Sequence, residues 1–505
     1  MENAQTRGPD PSDAPVRAAM ARARRAFPGW SATPLRHRLD LMRALRSVIV
    51  HDLDEVLDTL IEATNKPALE ALSSDVLVTL EAARYYERHA TRILKAERRP
   101  TWALARGSRF LVEYQPFGVV AIISPWNHPL QLSLLPAIPA LVAGNVVLLK
   151  PSELTPTVGS LIARLFREAG FPDGVLQLVP SERSAGAALV EARPDKVFFT
   201  GSTDTGRKVM QAAAEAITPV ELELGGKDPM IVFADADLAR AASAAVYGAF
   251  ANAGQSCVAI ERLYVETPVY DELLERILDE VLRLRPGTRG AGDYGPLIRP
   301  AQREVVEEQI ADALGKGARL ENPLVVEGEL IHPVVLTGVD HSMKVMQEET
   351  FGPVLPVMRF SGEDEAVALA NDSRYGLNAS VWTADEQRGL RVARRLVTGS
   401  CAINEVLRNV ANPAMPFGGE KQSGFCRYHG PEGLRAFCRQ RAIQIGPGRR
   451  GREPGWLPFD RASYEGLRAW ILAVHGRGLR GRTRSLEAAV RAAALWMRER
   501  RERER

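Results

Sequence analysis

Four short apolar runs, at residues 119–123, 146–149, 176–179 and 197–199, follow one another with helix-patterned segments between them. Each run is continuous rather than alternating, which suits a strand buried on both faces, and strands joined through helices pair in parallel. The pattern predicts an α/β fold with a doubly wound sheet, whose usual tenant is a nucleotide. The helix expected at 157–169 stops at Gly170 and Pro172. Residues 36–60 and 69–95 interleave charged and apolar positions and read as helices. Residues 1–25 carry Asp, Pro and Arg without an apolar core, so they read as a flexible lead-in and not as a secretory signal. Segment 129–149 has nearly the apolar length of a bilayer span. Pro129, Pro136, Pro139 and Gly144 interrupt it, however, so a short helix followed by a buried strand is the better reading.

A chain of 505 residues with 45% hydrophobic content buries more than one domain. Its 65 basic and 62 acidic residues are mixed along most of its length, and the net charge of +3 calls for no nucleic acid. The cysteines, Cys257, Cys401, Cys426 and Cys438, show no C-x-x-C spacing. That argues against a disulfide framework or a zinc knuckle, no metal is expected, and a reducing, cytoplasmic setting fits best.

The chemistry concentrates in Glu223-Leu224-Gly225-Gly226-Lys227 and Gly254-Gln255-Ser256-Cys257. A thiol attacks only as thiolate, so a functional Cys257 needs its proton removed or its pKa lowered, and Glu223 is a candidate water-activating base. The plainer reading makes Cys257 a small buried hydrophobe at a helix end. The loop from Thr200 through Gly201 and Ser202 to Gly206 leads into a helix expected at 207–216, whose backbone amides could face phosphate. It lacks the G-x-G-x-x-G and P-loop spacings, and two glycines also simply make a turn. Lys150-Pro151-Ser152-Glu153 offers a cation and a carboxylate either to a ribose or to each other. Asn127 could cap the turn between Pro125 and Pro129, Glu349 could pair with Lys344, and Phe351 could be core.

The order of these segments resembles the aldehyde dehydrogenase superfamily from about Arg36 to Gly446. The resemblance rests on Ser124-Pro125-Trp126-Asn127, Lys150-Pro151-Ser152-Glu153, Phe199-Thr200-Gly201-Ser202, the Glu223 and Cys257 segments, Glu348-Glu349-Thr350-Phe351-Gly352-Pro353-Val354 and Pro416-Phe417-Gly418-Gly419. It implies a Rossmann-type cofactor domain (residues 1–97 and 117–226), a second α/β catalytic domain (227–430) and a small β oligomerisation arm (98–116 and 431–446). It also implies that Cys257 attacks an aldehyde, that Asn127 and the Cys257 amide hold the oxyanion, and that Glu223 activates water against the thioester. NAD, with NADP as the alternative, would be bound by Trp126, Lys150, Ser152, Glu153, Gly201, Ser202, Glu349 and Phe351. Glu223 favours hydrolysis over transfer to coenzyme A, since the acylating members generally lack a carboxylate there.

The implied product is a carboxylic acid, made from a medium- or long-chain aliphatic or an aromatic aldehyde. Leu132, Leu134, Leu135 and Val258 are the expected apolar tunnel. A semialdehyde dehydrogenase of the same family, a non-redox thiol hydrolase and a structural or binding protein on this fold are the alternatives. The run Ser423-Gly424-Phe425-Cys426-Arg427-Tyr428-His429-Gly430 is similar to the branch acting on fatty and aromatic aldehydes, with Cys426 where that branch usually has Gly. A homodimer or homotetramer is implied. Residues 447–505 form an Arg-rich extension with two expected amphipathic helices, one presenting Tyr464, Leu467, Ile471 and Val474 and the other Leu486, Val490, Ala493 and Met497. Packing on a protomer, disorder at the extreme end and peripheral contact with an anionic membrane are the readings open for it.

Overall fold

The computed structural model describes residues 13–102, 105, 107–446 and 456–475, with 487, 489–491, 493 and 494 of the tail. Two compact units result, Met1–Lys95 with Tyr114–Gln440, and Ala96–Glu113 with Arg441–Arg505.

The first unit opens with helices. Ala14–Ala32 buries Val16, Ala19, Met20 and Ala23, one face at three-and-four spacing. This corrects the flexible lead-in over residues 14–25: the alanines that hide the stripe from a hydropathy reading are the small side chains that allow close packing. Residues 36–60 form two helices, not one, Leu35–His51 and Leu53–Thr64, parted at Asp52. The stretch expected at 69–95 contains a π-helical turn, Ala71–Leu77, ahead of Val78–Ile93.

A five-stranded parallel sheet follows in the order Leu176–Leu178, Val146–Lys150, Val119–Ile123, Lys196–Thr200, Val220–Glu223. Three of the four apolar runs are its inner strands, fully buried as continuous strands must be, while Leu176–Leu178 is an edge strand with only Gln177 buried. The fifth strand reads Val-Glu-Leu-Glu and was not legible as apolar. Successive strands step outward from Val119–Ile123 in one direction and then in the other, which opens a crevice beyond the carboxyl ends of Val119–Ile123 and Lys196–Thr200. Segment 129–149 is the expected helix and buried strand, Gln131–Ala143 and Val146–Lys150, with Gly144 at φ 99° ending the helix. No helix among the described residues is long and apolar enough to cross a membrane.

A seven-stranded sheet in the same unit runs Arg319–Leu320, Val334–Thr337, Val354–Phe360, Ile260–Glu266, Asp228–Val232, Ser380–Trp382, Ala402–Ile403, antiparallel only at its first pair. The second unit pairs Glu97–Arg99 antiparallel with Arg109–Pro116, and Cys438–Ile445 completes that sheet. Its tail helix, Arg461–His475, buries Ala462 and Ala469. Tyr464, Leu467, Ile471 and Val474 are exposed among the described residues. Val490 is exposed as well, whereas Leu486, Met497 and the linker at 447–451 lie outside the described residues.

Candidate active site

Every residue singled out from the sequence as catalytic or cofactor-binding lines one cleft of about 770 Å³ at the crevice of the five-stranded sheet. At one end, Lys150 closes its strand and donates from Nζ to Glu153 Oε2 at 2.9 Å. The pair expected on plain grounds therefore forms, and it forms on the cleft wall. Partial burial pushes the Glu153 carboxyl up, but a backbone hydrogen bond and Lys150 bring it below its ordinary value. The Ser152 hydroxyl accepts from Leu154 N at 3.2 Å. The helix after the strand Lys196–Thr200 is Thr203–Ala214, four residues earlier than expected, because Ser202 is its N-cap and accepts from Thr205 N at 3.4 Å. Its amide-rich start thus reaches the cleft at Gly201 and Ser202.

At the other end, Glu223 is the last residue of its strand, and its carboxyl is pushed well up, first by burial. Cys257 follows the turn Ala251–Gly254, in which Asn252 and Ala253 are left-handed at φ 52° and 55°. The thiol is pushed well above its ordinary value by burial, then by Glu223, Glu349 and Asp228. It is therefore protonated at rest, and a base must take its proton before it can attack. Asn127 does not cap its own turn. Its Nδ2 donates to Gln255 O at 3.0 Å, which ties it to the Cys257 loop.

The paired glycines between these groups have a steric reason. A Cβ at Gly225 would lie 2.5 Å from Glu349 Oε2, and one at Gly226 would lie 2.3 Å from Cys257 O. Bare backbone lets Glu349 accept from Gly226 N at 3.0 Å, so Glu349 does not pair with Lys344, which binds Glu308. Burial pushes the Glu349 carboxyl up to about 8. Phe351, at φ 50°, meets Trp126 edge-on with centroids 5.4 Å apart.

A sequence model of the aldehyde dehydrogenase family matches residues 2–443. The chain belongs to that family. It is an oxidoreductase acting on aldehydes. The chain is 45% identical over 462 residues to the 4,4'-diapolycopene aldehyde oxidase of a Methylomonas species, which covers 91% of this chain and 87% of that protein. Among solved structures it resembles an aldehyde dehydrogenase of Mycobacterium tuberculosis complexed with NAD+, at 36% identity and TM-score 0.82, over 87% of this chain and 91% of that one. An NADP-dependent enzyme of E. coli matches at 35% identity and TM-score 0.82, over 86% and 90%.

The residues that brace this cleft from behind carry no signal in the sequence. Glu261 accepts from Thr350 N at 2.8 Å and Phe351 N at 2.9 Å while binding Lys227 Nζ at 2.6 Å, which fixes the Glu349 segment. Lys66 Nζ bonds Asp75 Oδ2 at 2.8 Å and Asn127 O at 2.9 Å, both side chains fully buried. Asp75 Oδ1 accepts from Leu130 N and Gln131 N, each at 3.2 Å. Glu261 lies on the strand Ile260–Glu266, Lys66 in the loop after Leu53–Thr64 and Asp75 in the π-helical turn, so no shared local pattern marks them. Of the expected tunnel only Leu132 reaches the cleft; Leu134 and Leu135 are core. They lie on Gln131–Ala143, a helix buried on all sides, where apolarity carries no direction.

Proposed function

We propose that this enzyme oxidises an apolar aldehyde to its carboxylic acid through Cys257, with NAD as the preferred cofactor and NADP as the alternative. The observation that carries the reading is the convergence of Cys257, Glu223 and Asn127 with a nucleotide-shaped donor set in one cleft. The Cys257 proton passes to water in the cleft, and Glu223, whose carboxyl is raised by burial, is kept for the hydrolytic step. The sulfur then bonds the aldehyde carbon, and the carbonyl electron pair moves onto oxygen. Asn127 spends one Nδ2–H on Gln255 and keeps the other for that oxyanion, beside the Cys257 backbone amide. A bound NAD(P)+ supplies the hydride acceptor. Glu223 next takes a proton from water as the water oxygen bonds the acyl carbon and the carbon–sulfur bond breaks.

The donor set fits a dinucleotide. Lys150, Ser152 and Glu153 would hold the adenosine ribose, Gly201 and Ser202 the pyrophosphate, and Glu349, Phe351 and Trp126 the nicotinamide end. Lys150 is already neutralised by Glu153, whose carboxylate repels a ribose phosphate, which favours NAD. The relative named for a diapolycopene aldehyde, together with Leu132 on the wall, supports a long apolar substrate. The small sheet containing Arg109–Pro116 is the proposed pairing arm of a homodimer or homotetramer, and the cytoplasm is the proposed site of action.

The test is absorbance of reduced nicotinamide with NAD or NADP, with and without coenzyme A, over benzaldehyde, hexanal, decanal, a long polyene aldehyde and succinate semialdehyde. The expected result is NAD reduction that is independent of coenzyme A, rises with chain length and disappears in Cys257→Ala. Preference for succinate semialdehyde would overturn the apolar assignment. Absence of reduction with all of them would favour a non-redox thiol hydrolase.

A further inference from the structure

The thiol at position 426, where the similar branch usually has glycine, is buried to 1% exposure and donates to Glu223 Oε1. Two backbone pairings aim it there. On one side Glu223 bridges Gly424, with Leu224 N donating to Ser423 O at 3.0 Å; on the other, Phe417 and Tyr428 exchange both backbone hydrogen bonds at 2.8 Å. Gly418 also lies against the carboxylate: a Cβ there would lie 2.9 Å from Glu223 Oε1 and 1.9 Å from Cys426 O. Arg427 is the nearby cation, yet its guanidinium is engaged by Gly419 O at 2.8 Å, Cys426 O at 2.7 Å and Glu420. Among the described residues, Cys426 is the side chain that hydrogen-bonds the Glu223 carboxylate.

We propose that Cys426 is a positioning residue for the base, its thiol holding the Glu223 carboxylate in one orientation while water attacks the acyl-enzyme. This rests on the reading of Glu223 as the base. The groups facing Glu223 are Cys426, Arg427 and Tyr428 on the 423–429 segment, Glu221 on its own strand and Cys257 across the cleft. Burial and Glu223 push the Cys426 thiol well above its ordinary value, so it keeps its hydrogen and acts as a donor throughout the working pH range. The proton taken from water ends on Glu223, and the thiol gives up nothing. Burial raises Glu223 and the Cys426 hydrogen bond lowers it, so without the donor the carboxylate takes up its proton at higher pH.

The experiment follows decay of the acyl group on Cys257 by acid quench and mass spectrometry across pH, for the wild type, Cys426→Ala, Cys426→Ser and Glu223→Gln. Cys426→Ala should move the acid limb of acyl decay up by about one pH unit, the order expected for losing one hydrogen bond to a charge. Cys426→Ser, which keeps a donor, should restore the limb, and acyl formation should be unchanged in both variants. A limb in Cys426→Ala that coincides with the wild type, while Glu223→Gln stalls as acyl-enzyme, overturns the role of Cys426 alone. Wild-type decay in Glu223→Gln overturns the base assignment, and this proposal with it.

Discussion

Lys66→Met tests the buried frame behind Asn127. Lys66 Nζ is bonded to Asp75 Oδ2 at 2.8 Å and Asn127 O at 2.9 Å, and it lies 3.3 Å from His128 Nδ1. The variant keeps the Asp75 carboxylate buried, with only the Leu130 and Gln131 amides and His128 to meet its charge. Removing one partner of such a pair costs about 3–5 kcal/mol, which in a unit of this length lowers the melting temperature by roughly 3–6 °C. The sign with pH follows from Asp75. Burial pushes its carboxyl up, but Lys66 and His128 hold it well below its ordinary range, so the pair contributes stability above the unfolded carboxyl pKa that is lost only in strong acid. Without Lys66 burial prevails, and the folded carboxyl rises above its unfolded value. The deficit of the variant should therefore be greater at pH 8 than at pH 5, where protonation relieves the stranded charge. Lys66→Met/Asp75→Asn removes both charges and should cost less than the sum of the single changes. Thermal melts of all four proteins by circular dichroism at the two pH values decide the matter. A loss under 1 °C in Lys66→Met, or strict additivity, would refute the reasoning, as it would show the pair to be solvated or replaceable.

Further outcomes follow from the same geometry. Asn127→Ala should lower kcat about a hundredfold with the KM for NAD unchanged, the order seen when one oxyanion donor is removed, and steady-state kinetics measure it. Gly418→Ala places a methyl carbon 1.9 Å from Cys426 O, so soluble yield and melting temperature should fall sharply; an unperturbed melt would show that this loop gives way. Glu153→Gln removes the carboxylate that repels a ribose phosphate and should narrow the NAD preference about tenfold in kcat/KM, read by comparing the two cofactors. For the wild type, Glu223 is raised by burial, so kcat should fall as pH drops through its titration, and Glu223→Gln should remove that limb from whatever turnover is left.

Locally readable physics is what the sequence made legible. Continuous apolar strands, the Gly170 stop and the proline-broken segment at 129–149 each follow from a few neighbouring residues, so the α/β class and the inner strands were readable in advance. So were the cleft residues, because their order along the chain resembles one family. Elements whose signal is not apolar went unread: the Val220–Glu223 strand alternates with carboxylates, and Ala14–Ala32 packs through small side chains. What only the tertiary structure decided is which distant groups share a charge or a hydrogen. Lys66 meets Asn127 across 61 positions, Lys227 meets Thr350 across 123, and Cys426 meets Glu223 across 203. A buried ionisable group must be neutralised or hydrogen-bonded wherever the fold places it. Its partner is selected by proximity in space, and spacing along the chain carries no record of that.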